Sequence, residues 1–432
     1  MAHGNLTAVY RKLGKKIDAA PTRAPWNKAL YEILKELYTP REAEILIRMP
    51  YGLSTAERIV KTVKIDKEEL LPILEALCEK GLVFDMMLNG KYHYILAPMA
   101  VGIFEMTMMR TRGKLDYARW AQLFNEYLHG SSDFYRVNCK PEKKISVMRV
   151  LPHEDTIDEV HKVEILDYEK ATSIIRDSNK FGIGLCSCRH EKLHIGKKMC
   201  DTPLETCLSL GMSADYLIRH GFAREATRSE VLDSIAVSKE YKLVLTADDV
   251  KKGVGFICQC CGCCCNLLLG ISKHGFPDTV VTSSYIARID HNKCTGCEKC
   301  SGACPIQAIK MTDLARPAEK KTKSPEVDET ICLGCGVCAL SCNKGAIQLE
   351  KREQRVLCPE STFERVILGS LERGTLQYQL FDEPQKISHK FLRGFVGGFL
   401  RLPLIKQALM SERLRSRFLT ALQEAARKRA PA

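Results

Sequence analysis

Cysteine spacing restricts this chain more than any other feature. Residues 294–305 read Cys294-x2-Cys297-x2-Cys300-x3-Cys304-Pro305, and Cys332-x2-Cys335-x2-Cys338-x3-Cys342 repeats the pattern. Three cysteines at intervals of three place their sulfurs around one tight turn, where a single cubane takes all three as thiolates. The fourth lies one helical turn further on and points away. The flanks repeat too: Ile289-Asp290 and Val327-Asp328 precede the runs, and Ala308-Ile309 and Ala346-Ile347 follow them. Such a pseudo-twofold repeat predicts two β-hairpins, each with a short helix, folded around a pair of 4Fe–4S clusters. Zinc motifs rarely chain three cysteines this way, and a disulfide framework needs no second matched copy.

On these residues, the stretch 286–350 resembles the two-cluster bacterial ferredoxins. In such domains the fourth cysteine of each run ligates the other cluster. The resemblance implies one cluster on Cys294, Cys297, Cys300 and Cys342, and a second on Cys332, Cys335, Cys338 and Cys304. Two departures touch no ligand: Asn343 stands where the second run normally carries proline, and 311–326, with Lys320, Lys321 and Lys323, is a polar insertion.

A chain of 432 residues with 45% apolar content has room for several domains with real cores. Twenty-one cysteines point to a reducing compartment. Arg11, Lys12, Lys15 and Lys16 are not followed by the apolar run of a signal peptide, and no stretch of about 18 uncharged apolar residues exists. The expectation is a cytoplasmic protein, or one peripheral at the inner face of the membrane. The formal charge of +13 is uneven: residues 386–432 hold eleven Lys or Arg against two Glu. Each oxidised cluster with its thiolates adds about −2, so the basicity belongs to the tail.

Near the N-terminus, Thr39-Pro40-Arg41-Glu42, Ser54-Thr55-Ala56-Glu57 and Asp66-Lys67-Glu68-Glu69 read as capping boxes that start three helices. The third carries Leu70, Ile73, Leu74 and Leu77 on one face, with Pro72 expected to kink it. Val83–Leu88, Asn89-Gly90 and Lys91–Leu96 then predict a hairpin with a primed turn. Residues 27–98 thereby resemble the winged helix-turn-helix domains of transcription regulators. DNA binding is disfavoured, because the third helix holds five acids against Lys67 and Lys80. Residues 101–180 read as a helical connector, with Met106, Met108, Met109, Tyr117, Trp120, Phe124 and Tyr127 as core.

A second cysteine-rich region spans 181–285. After a strand at Phe181–Leu185 come Cys186, Cys188, Cys200 and Cys207, with Thr202-Pro203-Leu204-Glu205 read as the start of a helix carrying Cys207. Cys258, Cys260, Cys261, Cys263, Cys264 and Cys265 follow. Six cysteines in eight residues exceed what packing explains, and their sulfurs are too crowded for one cluster. Cys186, Cys188, Cys200 and Cys207 form the preferred third cluster, and the later six supply a fourth; equally, one site combines both groups. Zinc and unliganded redox thiols are the alternatives. The Cys-Cys-Gly triplet at 260–262 is similar to motifs of heterodisulfide reductase-like proteins, over too few residues to carry that chemistry across. The arrangement over 160–350 as a whole resembles a group of multi-cysteine 4Fe–4S ferredoxins, which implies multi-cluster electron transfer. Arg189, His190, His194 and Lys197 beside these thiols read either as tuners of a cluster potential or as a solvated basic loop.

The expected architecture is therefore α+β and multidomain. A winged-helix-like domain at 1–100 precedes the connector at 101–180. A cysteine-rich α/β region at 181–285, a two-cluster domain at 286–352 and a basic helical tail at 353–432 follow. Its function reads as single-electron relay through two or more 4Fe–4S clusters, as a subunit or partner of a larger oxidoreductase. The rivals are a redox-sensing winged-helix regulator and a reductase with a catalytic extra cluster among residues 186–265. No Rossmann fingerprint, P-loop or hydrolytic constellation is legible, and no catalytic residue or small-molecule substrate is identified. Redox proteins are the expected partners, with membrane-surface contact through the tail as a second use of its charge.

Overall fold

The computed structural model describes residues 2–113, 116–139, 145–162, 165–314, 322–353 and 356–429. Its contacts divide the chain into two compact units, Met1–Ile103 with Pro359–Ala432, and Phe104–Cys358.

In the first unit, helices run Lys28–Leu37, Pro40–Arg48, Ala56–Val63 and Lys67–Glu79. The Thr39 capping box forms: the Glu42 amide donates to Thr39 Oγ1 at 3.2 Å, and the Thr39 amide to Glu42 Oε2 at 2.7 Å. The second cap falls one residue later than its sequence suggests. Ser54–Thr55 is a two-residue strand (β1) paired with His93 and Tyr94, so Thr55 is the last extended residue and caps the Arg58 amide. Asp66 stands at the third N-cap but its carboxylate caps no amide, and the helix continues through Pro72. β2 (Val83–Leu88) and β3 (Lys91–Leu96) pair antiparallel, with Asn89 and Gly90 at φ 49° and 75° as a type I′ turn demands.

Helices from Thr362 to Arg429 belong to the same unit. The Tyr51 amide donates to Asp382 O at 2.9 Å, and Arg58 pairs with the Asp382 carboxylate at 2.9 Å. The helix Ile387–Leu400 leaves Ile387, Phe391 and Phe395 exposed at 85, 71 and 72%. Arg393 on the same helix turns inward and donates to Phe381 O at 2.6 Å. Part of the basic charge of the tail is thus structural.

The second unit is built on a six-stranded sheet of β4 (Met148–Leu151), β5 (Phe181–Leu185), β6 (Glu205–Leu210), β7 (Ala223–Glu225), β8 (Val244–Asp248) and β9 (Phe256–Cys260). The order is β4-β8-β9-β6-β5-β7 and every pair is antiparallel. The α/β expectation for 181–285 therefore becomes an antiparallel sheet with helices packed on it. The connector supplies its edge strand β4, whose apolar run is masked in the sequence by Arg149. That side chain is buried and donates to Val250 O at 3.2 Å.

The helix expected to carry Cys207 is instead β6. Thr202-Pro203-Leu204-Glu205 imitates a capping box, but pairing with β5 on one side and β9 on the other decides the conformation. Alternation along β6 and β9 then sorts the side chains. Leu208, Leu210 and Ile257 enter one core, while Cys258 and Cys260 join the opposite face. Tyr117, read as core, is only half buried and stacks on His194 at 5.0 Å between ring centroids.

In the ferredoxin region, β11 (Ile309–Leu314) and β12 (Thr322–Val327) form a hairpin between the runs, where the sequence reads as a polar insertion. The second pairing is not local. β10 (Tyr285–Ile289) pairs with β13 (Ile347–Lys351), the first strand with the last, so both cysteine runs lie within one closed loop of chain. The insertion extends the β11–β12 hairpin; Lys320 and Lys321 lie outside the described residues, and Lys323 pairs with Glu298 at 2.8 Å.

Candidate metal centres

Each ferredoxin run is a glycine-rich turn leading into a short helix, Lys299–Ala303 or Val337–Leu340. Gly334 has φ +65°, and a Cβ there would stand 2.0 Å from the Tyr285 carbonyl oxygen, so only glycine lets the second run wrap this tightly. The symmetry reaches the sulfurs. The Ala308 amide donates to Cys304 Sγ at 3.2 Å, and the Ala346 amide to Cys342 Sγ at 3.3 Å. Such N–H···S bonds stabilise charge on a ligating sulfur.

Cys304 from the first run shares one cavity with Cys332, Cys335 and Cys338 from the second, lined otherwise by apolar groups such as Ala287, Ile306 and Leu349. Four converging sulfurs in an apolar shell suit a cubane, which needs four thiolates and exclusion of water. Burial pushes the Cys335 thiol up to about 12 and the Cys338 thiol well above its usual value. Ionised sulfurs here require the charge of bound iron. Cys297 of the first run is exposed, and the backbone N–H of Lys299 is the main cause of its lowered pKa. Arg352, which the sequence did not single out, donates to Cys332 O at 2.6 Å and to Tyr285 O at 2.9 Å, pinning the second run to β10.

The ten thiols of the middle region separate into two groups. Cys200, Cys261, Cys263 and Cys264 bring their sulfurs within 4.8 Å of one another. The preferred set of Cys186, Cys188, Cys200 and Cys207 is therefore split, because β6 draws Cys207 away from Cys200 into register with Cys258. Cys186, Cys188, Cys207, Cys258, Cys260 and Cys265 form the second group. Cys258 interacts with Cys207, Cys260 and Cys186, and Cys265 with Cys188 and Cys260.

The helix Ser187–His194 carries the residues beside these thiols, and its polar sequence hides how deep it lies. Arg189 and Glu191 are 0% exposed. The solvated-loop reading fails for Arg189 and His190, and holds for exposed Lys197. Arg189 donates to Thr206 Oγ1 and to Gln259 O, while its Nε has no hydrogen-bond partner among the described residues. Burial opposes its charge, but the facing thiols of Cys186, Cys261 and Cys260 outweigh that and hold it protonated. In turn Cys261 is lowered to about 4, first by a hydrogen bond from Cys264 and also by Arg189.

A buried polar network borders the second group. Lys192 donates to Glu191 at 2.7 Å and to Asn266 Oδ1 at 2.9 Å, Asn266 donates to Glu191 at 2.7 Å, and His129 meets Asn266 Oδ1 at 2.8 Å. Burial holds His129 neutral, lowering it to about 3. Asn266, beside Cys265, joins residues more than seventy positions apart, so no local pattern announces the network.

Comparison with known proteins places this geometry. The 4Fe-4S dicluster domain family matches residues 293–346. The chain is 30% identical over 77 residues to a CoB–CoM heterodisulfide reductase iron-sulfur subunit of Methanocaldococcus jannaschii, covering 16% of this chain and 12% of that protein. An uncharacterized ferredoxin of the same organism is 30% identical over 104 residues, covering 24% of this chain and 57% of the relative. Pyruvate synthase subunit PorD of Methanothermobacter marburgensis is 32% identical over 65 residues, covering 15% and 65%. The chain thus spans less than two thirds of each of these relatives. It carries a ferredoxin-type dicluster domain, with 4Fe–4S clusters as cofactors. Among the described residues, no helix is long and apolar enough to cross a membrane.

Proposed function

We propose that the chain relays single electrons through two ferredoxin clusters and a third cluster drawn from Cys186, Cys188, Cys207, Cys258, Cys260 and Cys265. It does so as an iron–sulfur subunit or dedicated carrier of a larger oxidoreductase. Cys294, Cys297, Cys300 and Cys342 hold one ferredoxin cluster, and Cys304, Cys332, Cys335 and Cys338 the other. One observation carries the relay. A single apolar core contains Cys260 and Cys265 together with Cys300, Cys332 and Cys338, and Cys258, Cys304, Cys335 and Cys342 pack against it. Gly262 lies so close to the ferredoxin run that a Cβ there would stand 2.6 Å from the Pro305 carbonyl oxygen. Clusters in one dry core pass electrons without crossing solvent, and exposed Cys297 marks the end at which a partner exchanges them.

We read residues 27–98 as a winged-helix fold used for protein docking. Asp66 at the N-cap and Glu68, Glu69, Glu75 and Glu79 on the helix Lys67–Glu79 are exposed, and Glu57 engages Lys67 at 2.7 Å, so this face repels phosphate. The exposed aromatic row of the helix Ile387–Leu400, with Lys386, Lys390 and Arg401 nearby, suits an acidic redox partner, or an anionic membrane surface as the second use.

The reading is tested on the anaerobically reduced full chain, mixed with a one-electron viologen acceptor. Reoxidation should restore, in one-electron steps, the iron–sulfur absorbance that reduction bleached, with all clusters emptied through a common fast phase. A fraction of reduced iron that the acceptor never drains would contradict a continuous relay. Salt-dependent, sequence-specific binding of duplex DNA by the full chain would favour the regulator reading instead.

A further inference from the structure

We propose that Cys200, Cys261, Cys263 and Cys264 hold one tetrahedral metal ion of the zinc class, not a cubane. The sulfur separations carry the inference. Cys200 lies 3.7 Å from Cys261 and 3.9 Å from Cys264, and Cys263 lies 3.7 Å from Cys261 and 3.5 Å from Cys264. Four thiolates bound about 2.3 Å from a single ion stand about 3.8 Å apart at the corners of a tetrahedron. A cubane puts four irons between its thiolates and holds them farther apart. The same molecule supplies the comparison: among the described residues, no three of the eight ferredoxin cysteines converge within 4.8 Å.

The surroundings suit a closed structural site. Cys261 and Cys264 are buried in a small apolar cluster of their own with Leu243, with Cys200 and Cys263 packed against it, apart from the core of the electron path. Four thiolates on a divalent ion leave about two negative charges. Arg189 faces Cys261, and Lys198 donates to the Cys200 carbonyl, so cations stand where that charge falls. The ion would clasp the loop bearing Cys200 to the turn 261–264, which immediately joins Cys260 and Cys265. It acts as a brace for the neighbouring thiols and not as a redox centre. This assignment stands apart from the relay, since zinc and iron are counted separately.

The test uses the full chain purified without oxygen. Elemental analysis should find about one zinc per chain, and X-ray absorption at the zinc edge should show four sulfurs at about 2.3 Å with no metal neighbour. Cys200→Ser should lose that zinc while the ferredoxin iron remains. Protein produced in cobalt medium should show the intense visible bands of a tetrahedral cobalt thiolate, and Cys200→Ser should lack them. A site that instead yields iron with equal acid-labile sulfide, or wild-type protein that holds neither zinc nor cobalt, overturns the proposal. Should Cys200→Ser fail to fold, the wild-type absorption spectrum still decides, because metal–metal scattering would reveal a cluster.

Discussion

Cys335→Ala is expected to cost the protein an entire cluster, about four iron and four acid-labile sulfide per chain, and to loosen the second. Its sulfur converges with those of Cys304, Cys332 and Cys338 in one cavity, and Cys304 belongs to the first run. Losing that cluster therefore uncouples the two runs from each other. It also empties a space walled by Leu333, Ile306 and Leu349, all nearly inaccessible to solvent, and adjoining apolar contacts cannot close over three orphaned thiols. Cys297→Ala should be milder, since Cys297 is exposed and water can reach the vacated iron; loss of about one iron is expected there. Iron and sulfide counts on the two variants decide the matter. A full complement in Cys335→Ala would refute the interlocked ligand assignment.

Arg189 gives the second large effect. Replacing it by leucine should destabilise the unit 104–358 by about 3–5 kcal/mol, the usual result of removing one partner from a buried charged set. The side chain is 0% exposed, and it joins Thr206 on β6 to Gln259 on β9 while facing thiols of both groups. Arg189→Lys should rescue little. A single ammonium cannot span the Thr206 hydroxyl and the Gln259 carbonyl in the guanidinium's plane while still facing the sulfurs. Denaturant unfolding, followed through the iron–sulfur absorbance, measures the shift in midpoint. A leucine variant with the wild-type midpoint and metal content would show that Arg189 is a bystander.

What could be read in advance follows the range of the interactions involved. The ferredoxin runs were legible because ligand spacing is a chemical constraint written within each short run, Cys294 to Cys304 and Cys332 to Cys342. The Asn89-Gly90 hairpin was legible because two positive φ angles demand such residues. Pairing of β10 with β13 was not, since about sixty residues separate them and the repeat suggested two local hairpins. The grouping of Cys200 with Cys261, Cys263 and Cys264 was hidden for a similar reason. Proximity in sequence favours Cys207 as its partner, whereas strand pairing carries Cys207 to Cys258. The polar helix Ser187–His194 misleads because its burial depends on partners such as Asn266 and Gln259, far along the chain.

The central claim, a relay of three clusters in one chain, is tested most directly by one measurement on anaerobically purified full-length protein. Iron and acid-labile sulfide are counted on the same sample whose paramagnetic resonance is followed through a reductive titration. About twelve iron and twelve sulfide per chain are expected, with successive one-electron signals that broaden as neighbouring clusters become reduced together. A count of about eight, with two signals and none from the middle region, would contradict the third cluster and end the relay at the ferredoxin domain.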